Sequence, residues 1–150
     1  MQTATKFGRG LLALLICSSG AWAEMADRSK PVQVEADSVR VDDTRKVAVY
    51  QGNVILTQGT LKVQADRIDV RQDDKGFASG EATGAPVRFR QKMDNSEEYV
   101  DGTASRVEYD ANSEIVKMVG SAWLRRGNDE IRGNLITYNM LTEQYRAEGS

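Results

Sequence analysis

The sequence contains no histidine, a single cysteine and only two prolines among its 150 residues. Without histidine it cannot form a Ser–His nucleophile pair or a His-ligated metal site, and it has no glycine-rich phosphate loop. Adjacent carboxylates occur at 42–43, 73–74 and 97–98. Each pair lies in a polar stretch, where turn formation explains it, and adjacent residues cannot oppose each other across a cleft. We therefore predict that the chain is not an enzyme and holds no cofactor or metal.

The N-terminal 23 residues have the pattern of a secretory signal peptide. Lys6 and Arg9 precede the short apolar run GLLALLICSSG (10–20), and AWA (21–23) fits a small-x-small cleavage site. Cys17 raises the alternative of a lipoprotein, but Ile16 directly before it fits that signal less well. We expect cleavage after Ala23, which leaves residues 24–150 as one domain without cysteine, exported yet free of disulfides.

The charge balance excludes a further class of function. Without Lys6 and Arg9 the chain has 18 basic and 22 acidic residues, and the two signs are mixed along its length. Nucleic-acid binding requires a basic face, so no nucleic-acid partner is expected. No apolar run after the signal peptide approaches the length that a membrane-spanning helix needs.

Nearly every segment after Lys30 alternates between apolar and polar residues. The pattern is seen in VQVEA (32–36), LKVQADRIDV (61–70), VRFRQ (87–91) and LITYN (135–139). A period of two predicts strands, and the clusters of Asp, Asn and Gly between them predict tight turns. We expect no substantial helix after the signal peptide.

A repeat underlies this alternation. Related segments begin at residues 36, 65, 104 and 133, spaced by 29, 39 and 29 residues, and a glycine follows each at 52, 80, 120 and 149. The longer middle step contains residues 84–102, which read as an inserted hairpin. One such unit cannot bury its apolar face alone, so the units must stack.

Two folds agree with this repeat, an antiparallel β-jellyroll with hairpin connections and a single-chain parallel β-helix. The short turns between strands of similar length favour the antiparallel roll. The uneven spacing of the units also fits the regular coils of a β-helix poorly.

The predicted inward positions are rich in medium-sized aliphatic residues. They are Val32, Val34, Val39, Val41, Val54, Leu56, Leu61, Val63, Ile68, Val70, Phe89, Val107, Tyr109, Met118, Leu124, Ile131, Ile136 and Tyr138. These side chains could form a plain sandwich core or a slot that accepts acyl chains, and periodicity does not separate the two interpretations. We predict that Ile55, between Val54 and Leu56, points the other way and has no assigned role. A bulge near Gly52 would exchange the two faces, so the sequence leaves open which of Val54 and Ile55 faces inward.

The stretch GNVILTQGTLKVQADRIDV (52–70), together with VEADSVRVD before it and GSAWLRRGNDEIRGNLITY (120–138) after it, resembles the LptA (OstA-like) family of periplasmic lipopolysaccharide-transport proteins. The resemblance covers nearly all of residues 24–150. It implies a slightly open, twisted β-jellyroll that is not an enzyme and that shields the acyl chains of lipid A in an apolar groove. In the family another strand usually follows at the position of Gly149.

The resemblance also implies partners and a place in the cell. Copies would stack head to tail across the periplasm, between inner-membrane-anchored LptC and outer-membrane LptD, and would pass lipopolysaccharide to the outer membrane. The alternative is a periplasmic scaffold of β-repeats with a dry core and no lipid. A carbohydrate-active roll would need an aromatic platform, which is not visible in the sequence.

We predict that the groove consists of the inward positions above without Leu61, Val70 and Ile131, and the resemblance itself implies groove-lining roles for Val32, Val34, Phe89 and Tyr109. The implied edges for self-association are the first strand, with Val32, Val34 and Ala36, and the last, with Tyr138, Tyr145 and Ala147.

Overall fold

The computed structural model describes residues 10–14, 30–93 and 95–149. The strands are β1 (Gly10–Leu14), β2 (Val32–Ala36), β3 (Ser38–Asp42), β4 (Val47–Gln58), β5 (Leu61–Asp73), β6 (Gly76–Lys92), β7 (Tyr99–Asp110), β8 (Ile115–Arg126), β9 (Asp129–Asn139) and β10 (Gln144–Glu148). Within the described residues there is no helix, as predicted, and accordingly none that could cross a membrane.

All strands belong to one sheet, and most strands that follow each other along the chain are paired in it. From β4 to β10 each strand pairs with the next, while β2 and β3 both pair with β4. Every pairing is antiparallel. The predicted all-β antiparallel fold is therefore confirmed and the β-helix alternative is wrong. The predicted insertion at 84–102 is a hairpin, made by the ends of β6 and β7.

Four hairpin turns are built in the same way, as the repeat predicts. Asp42, Asp73, Asp110 and Asn139 each end a strand, and a side-chain oxygen of each accepts hydrogen bonds from backbone N–H groups two or three residues later. These short polar side chains replace the backbone partners that the turn lacks. They fix where one strand of each unit ends and the next begins.

The glycines of the repeat mark bends in two of the long strands. Gly52 and Asn53 both have positive φ, as do Gly120 and Ser121. The strand register shifts at both places, and shifts also occur in β5, β6 and β7. Bulges of this kind increase the twist of a sheet and allow it to curl. The sheet therefore has one face turned inward along its whole width.

The inward face carries two clusters of buried apolar residues. The first is formed by β2, β4, β5 and β6, and the second by β7, β8 and β9. Half-buried Val107 packs against both. Among the described residues that are buried, only Tyr50 has a side chain with a polar atom.

Of the predicted signal peptide, the structure describes only residues 10–14. The proposed cleavage site at 21–23 and Cys17 lie outside the described residues. Residues Gly10–Leu14, inside the predicted signal peptide, form β1 and pair with β2. In the full chain β2 therefore has a strand on each side, and it would be an edge strand only after removal of residues 1–23.

Candidate functional site

The inward side chains lie in four rows that cross the sheet. Residues paired across neighbouring antiparallel strands point to the same side, so the register defines each row. The first row contains Ala48, Val70, Gly80, Tyr109, Val116, Tyr138 and Tyr145. The second contains Tyr50, Ile68, Ala82, Val107, Met118, Ile136 and Ala147.

The third row follows the line of bends and consists of small residues. Its members are Val54, Ala65, Val87, Ala104, Ala122 and Gly133, all of them buried. The fourth row contains Leu56, Val63, Phe89, Gly102, Leu124 and Ile131, and Val34 extends it onto β2. Together the rows give one continuous apolar surface on the inner face.

Most residues of the predicted groove lie on this surface. Val32, Val34, Val54, Ile68, Met118, Leu124 and Ile136 are buried, and Leu56, Val63, Phe89, Val107, Tyr109 and Tyr138 are half-buried. The sequence left open which of Val54 and Ile55 faces inward, and the structure places Val54 inside at 1% exposure. Ile55 points outward, opposite Gln64 and Glu35.

Val39 and Val41 differ from the rest of the predicted groove. Their partners Tyr50 and Ala48 place them on the inner side of β3, yet they are 43% and 54% exposed. No strand beyond β3 covers them among the described residues. They form an apolar margin of the inner face rather than part of its closed interior.

Tyr50 brings a polar atom into the closed interior. Its side chain is 1% exposed, and its hydroxyl has no hydrogen-bond partner among the described residues. Burial disfavours the charged phenolate and raises the pKa of Tyr50 to about 12. The group is therefore neutral at physiological pH and available as a donor or an acceptor.

Aromatic pairs stand where the inner face meets solvent. The rings of Tyr138 and Tyr145 stack with centroids 4.5 Å apart, and Phe77 stacks on Tyr109 at 5.7 Å. Burial, with smaller contributions from Tyr145 and Glu143, raises the pKa of Tyr138 to about 12. Tyr145, predicted as an edge residue, thus also packs against the second apolar cluster.

The predicted inward positions do not include four buried alanines, nor Val87 and Tyr50. Ala65, Ala82, Ala104 and Ala122 are buried at the centre of the rows. Alanine carries little hydrophobic signal, and these positions stand out only once the strand register is known. Val87 and Tyr50 follow the alternation of their own segments and could have been included on that basis.

Two of the cavities formed by the described residues open on the outer face, and both have charged side chains at their borders. One of about 690 Å³ is bordered by Val47, Val49, Asp69, Glu81, Glu108 and Lys117. The other, of about 390 Å³, is bordered by Lys62, Arg88, Arg90, Trp123 and Arg125. No group of three or more potential metal ligands occurs in the described part of the chain.

Residues 33–144 match a family model described as LptA/(LptD N-terminal domain) LPS transport protein. The chain is also similar to curated proteins over nearly all of its length. It is 30% identical over 143 residues to the lipopolysaccharide export system protein LptA of Haemophilus influenzae, covering 93% of this chain and 83% of that one. With the Escherichia coli K12 protein of the same name the identity is 33% over 137 residues, covering 90% and 74%.

A third relative is similar in both sequence and structure. The lipopolysaccharide export system protein LptH of Pseudomonas aeruginosa is 30% identical over 145 residues. The crystal structure of LptH, described as the LptA-homologous periplasmic component of a lipopolysaccharide transport device, superposes with a TM-score of 0.77 at 27% identity. That superposition covers 83% of this chain and 86% of LptH.

Proposed function

The chain belongs to the LptA/LptD N-terminal domain family of lipopolysaccharide-transport proteins, and on this premise we propose that it carries lipopolysaccharide with the acyl chains against its inner face. The observation that carries the proposal is the uninterrupted apolar surface of the four rows, from β2 to β10. Such a protein acts by binding and transfer, without a catalytic step.

The energetics explain why a carrier is needed. Each CH₂ group kept from water is worth about 0.8 kcal/mol, so a chain of roughly 12 carbons contributes on the order of 10 kcal/mol. An apolar surface without charged groups can accept such a chain without leaving buried polar groups unpaired. Transfer between similar surfaces then proceeds with little net change in free energy.

Entry of a chain requires the interior to open. The inward side chains are packed against one another, and the two apolar clusters meet at Val107. We place the opening between these clusters, where β6 pairs with β7, and suggest that Phe89 and Tyr109 contact the acyl chains first. The exposed margin at Val39 and Val41 extends the same surface towards solvent.

The two ends of the sheet are the proposed surfaces for assembly. β10 has an unpaired edge within the described residues, and β2 gains one if residues 1–23 are removed and β1 leaves with them. Unpaired edges accept added strands. We propose head-to-tail stacking of copies through β2 and β10, with LptC and LptD at the two ends of the stack.

Export to the periplasm completes the proposal. The segment from Lys6 to Ala23 has the pattern of a cleavable signal, and the LptH structure is described as that of a periplasmic component. We propose that residues 24–150 act in the periplasm, between the inner and outer membranes.

A scaffold with a dry core is the second candidate, favoured by the close packing of the interior. Native mass spectrometry separates the two when the protein is purified from the periplasm of a host that makes lipopolysaccharide. The carrier predicts a mass shift that matches bound lipopolysaccharide, together with a ladder of oligomers. A ladder without any lipid-bearing species would support the scaffold instead.

A further inference from the structure

The outer face of the sheet is divided into two regions of different charge by the line of bends. On one side of the bends Arg67, Arg71, Arg106 and Lys117 stand among Asp69, Glu81, Glu108 and Asp110. We call these eight residues the balanced region, because they comprise equal numbers of positive and negative side chains. Its arginines pair locally, Arg67 with Asp69 at 2.7 Å and Arg106 with Glu108 at 2.8 Å.

The other side of the bends, on β5 to β9, is strongly cationic. Two rows of outward residues cross it, Lys62–Arg90–Asp101–Arg125–Glu130 and Gln64–Arg88–Thr103–Trp123–Arg132. We call these ten positions the cationic region. It holds five cations and two carboxylates on a chain whose net charge is −2.

The two carboxylates are shared and do not neutralise the region. Asp101 lies 3.7 Å from Arg90 and 3.3 Å from Arg125. Glu130 accepts a hydrogen bond from Nε1 of Trp123 at 3.0 Å and lies 3.4 Å from Arg132. All five cationic side chains are on exposed residues, so excess positive charge faces solvent.

Lys62 and Arg88 have no carboxylate partner among the described residues. Both border the cavity of about 390 Å³ that also exposes Trp123 and Arg125. The guanidinium of Arg125 lies 5.4 Å from the Trp123 ring centroid, and that of Arg90 lies 4.1 Å from the ring of Tyr99. Cation–π contacts of this kind hold the guanidinium groups over the rings while leaving them solvent-accessible.

From this arrangement we propose that the cationic region docks on an anionic phospholipid surface, through lipid phosphates at its five cations and through Trp123 at the headgroup level. The cations lie on β5, β6, β8 and β9, and the distance from β5 to β9 is about 20 Å at the usual strand spacing, which suits an array of headgroups rather than one phosphate. Tryptophan favours the membrane interface because its ring is apolar and its N–H is polar. The proposal concerns the outer face alone and stands independently of what the interior carries.

Two matched double variants test the proposal in protein purified from the periplasm. Lys62→Gln with Arg88→Gln removes two cations from the cationic region, and Arg71→Gln with Lys117→Gln removes two from the balanced region. Binding is measured by sedimentation with phosphatidylcholine vesicles that contain phosphatidylglycerol. Since each basic residue near an anionic surface contributes about 1 kcal/mol, the first pair should weaken binding by about 30-fold. The second pair should bind like the unaltered protein.

Three results of the sedimentation assay would overturn the proposal. The first is an equal loss of vesicle binding in the two double variants, and the second is unchanged binding of Lys62→Gln with Arg88→Gln. The third is displacement of the protein from the vesicles by inorganic phosphate at matched ionic strength. The last result would indicate a site for one phosphate.

Trp123 is the only tryptophan of residues 24–150, so brominated phosphatidylglycerol should quench its fluorescence on binding. Binding without quenching would place the contact elsewhere.

Discussion

The ring of Phe89 lies directly on Gly102, its cross-strand partner between β6 and β7. A Cβ atom at Gly102 would stand 2.5 Å from a ring carbon of Phe89 and 3.0 Å from the terminal methyl of Met118. Glycine is therefore required here because the aromatic ring occupies the place of its side chain. The contact joins β6 to the second apolar cluster.

Gly102→Ala should consequently destabilise the protein. The added methyl group forces Phe89 out of its position, and overpacking of this kind costs about 1–3 kcal/mol. Gly80→Ala on β6 is the matched control, because its Cβ would meet its nearest atom at an ordinary 3.4 Å. Urea unfolding of both variants measures the difference, and equal midpoints would contradict the assigned packing.

The bends of the long strands give a second prediction. A Cβ at Gly52 would lie 2.6 Å from Asp37, and one at Gly120 would lie 2.8 Å from Ser105, at φ values of +87° and +89°. Alanine at either position meets both backbone strain and a contact, so we expect each variant to lose more than about 1 kcal/mol. Thermal unfolding of the two variants measures this, and unchanged melting temperatures would refute the role of the bends.

Leu56 and Ile55 provide a matched test of the two faces. Both are half-buried on β4, but Leu56 packs on the first apolar cluster whereas Ile55 points outward. Leu56→Asp should destabilise the protein by several kcal/mol and abolish lipid co-purification, because it places a carboxylate in an apolar surface. Ile55→Asp should cost no more than about 1–2 kcal/mol, from the low strand propensity of Asp and from the like charge of Glu35 opposite it. Similar losses in both variants, measured by urea unfolding and lipid analysis, would remove the distinction between the faces.

The buried phenol of Tyr50 predicts a dependence of stability on alkaline pH. Its pKa is raised from 10.0 to about 12 in the folded protein, so its contribution is complete below pH 10 and declines as the pH rises towards 12. By pH 11 the unaltered protein should lose about 1 kcal/mol relative to Tyr50→Phe.

At pH 7 the Tyr50→Phe variant should be at least as stable as the unaltered protein, because it removes a hydroxyl that has no partner among the described residues. Urea midpoints from pH 7 to pH 11 test both statements. Tyr138 is present in both proteins, so its own titration cancels in the comparison. Parallel curves for the two proteins would show that Tyr50 does not titrate as a buried group.

Much of the fold could be predicted because its signals are local. Alternation placed Val54, Ile68 and Ile136 on the inner face, and the turn residues placed the hairpins. The register was not predictable, since it depends on bulges at Gly52 and Gly120 whose positions set which distant residues meet. For the same reason the third row, of small residues at the bends, and the contact between Phe89 and Gly102 are visible only in the structure.

The exposure of Val39 and Val41 shows the limit of alternation. The alternation correctly assigned the side of β3 on which they lie, but it could not show that no described strand lies beyond them. Similarly, the mixed charges of the whole chain concealed the cationic region. Its five cations come from β5, β6, β8 and β9, and only the folded sheet brings them together.

The central claim, that the inner face carries the lipid, is tested most directly by photo-crosslinking at two adjacent positions of β7. Tyr109 and Glu108 are both half-buried, but Tyr109 points inward and Glu108 points outward, away from the cationic region. A photoreactive residue at 109 should capture lipopolysaccharide in a producing host, and one at 108 should not. Equal capture at both positions, or capture at 108 alone, would contradict the account.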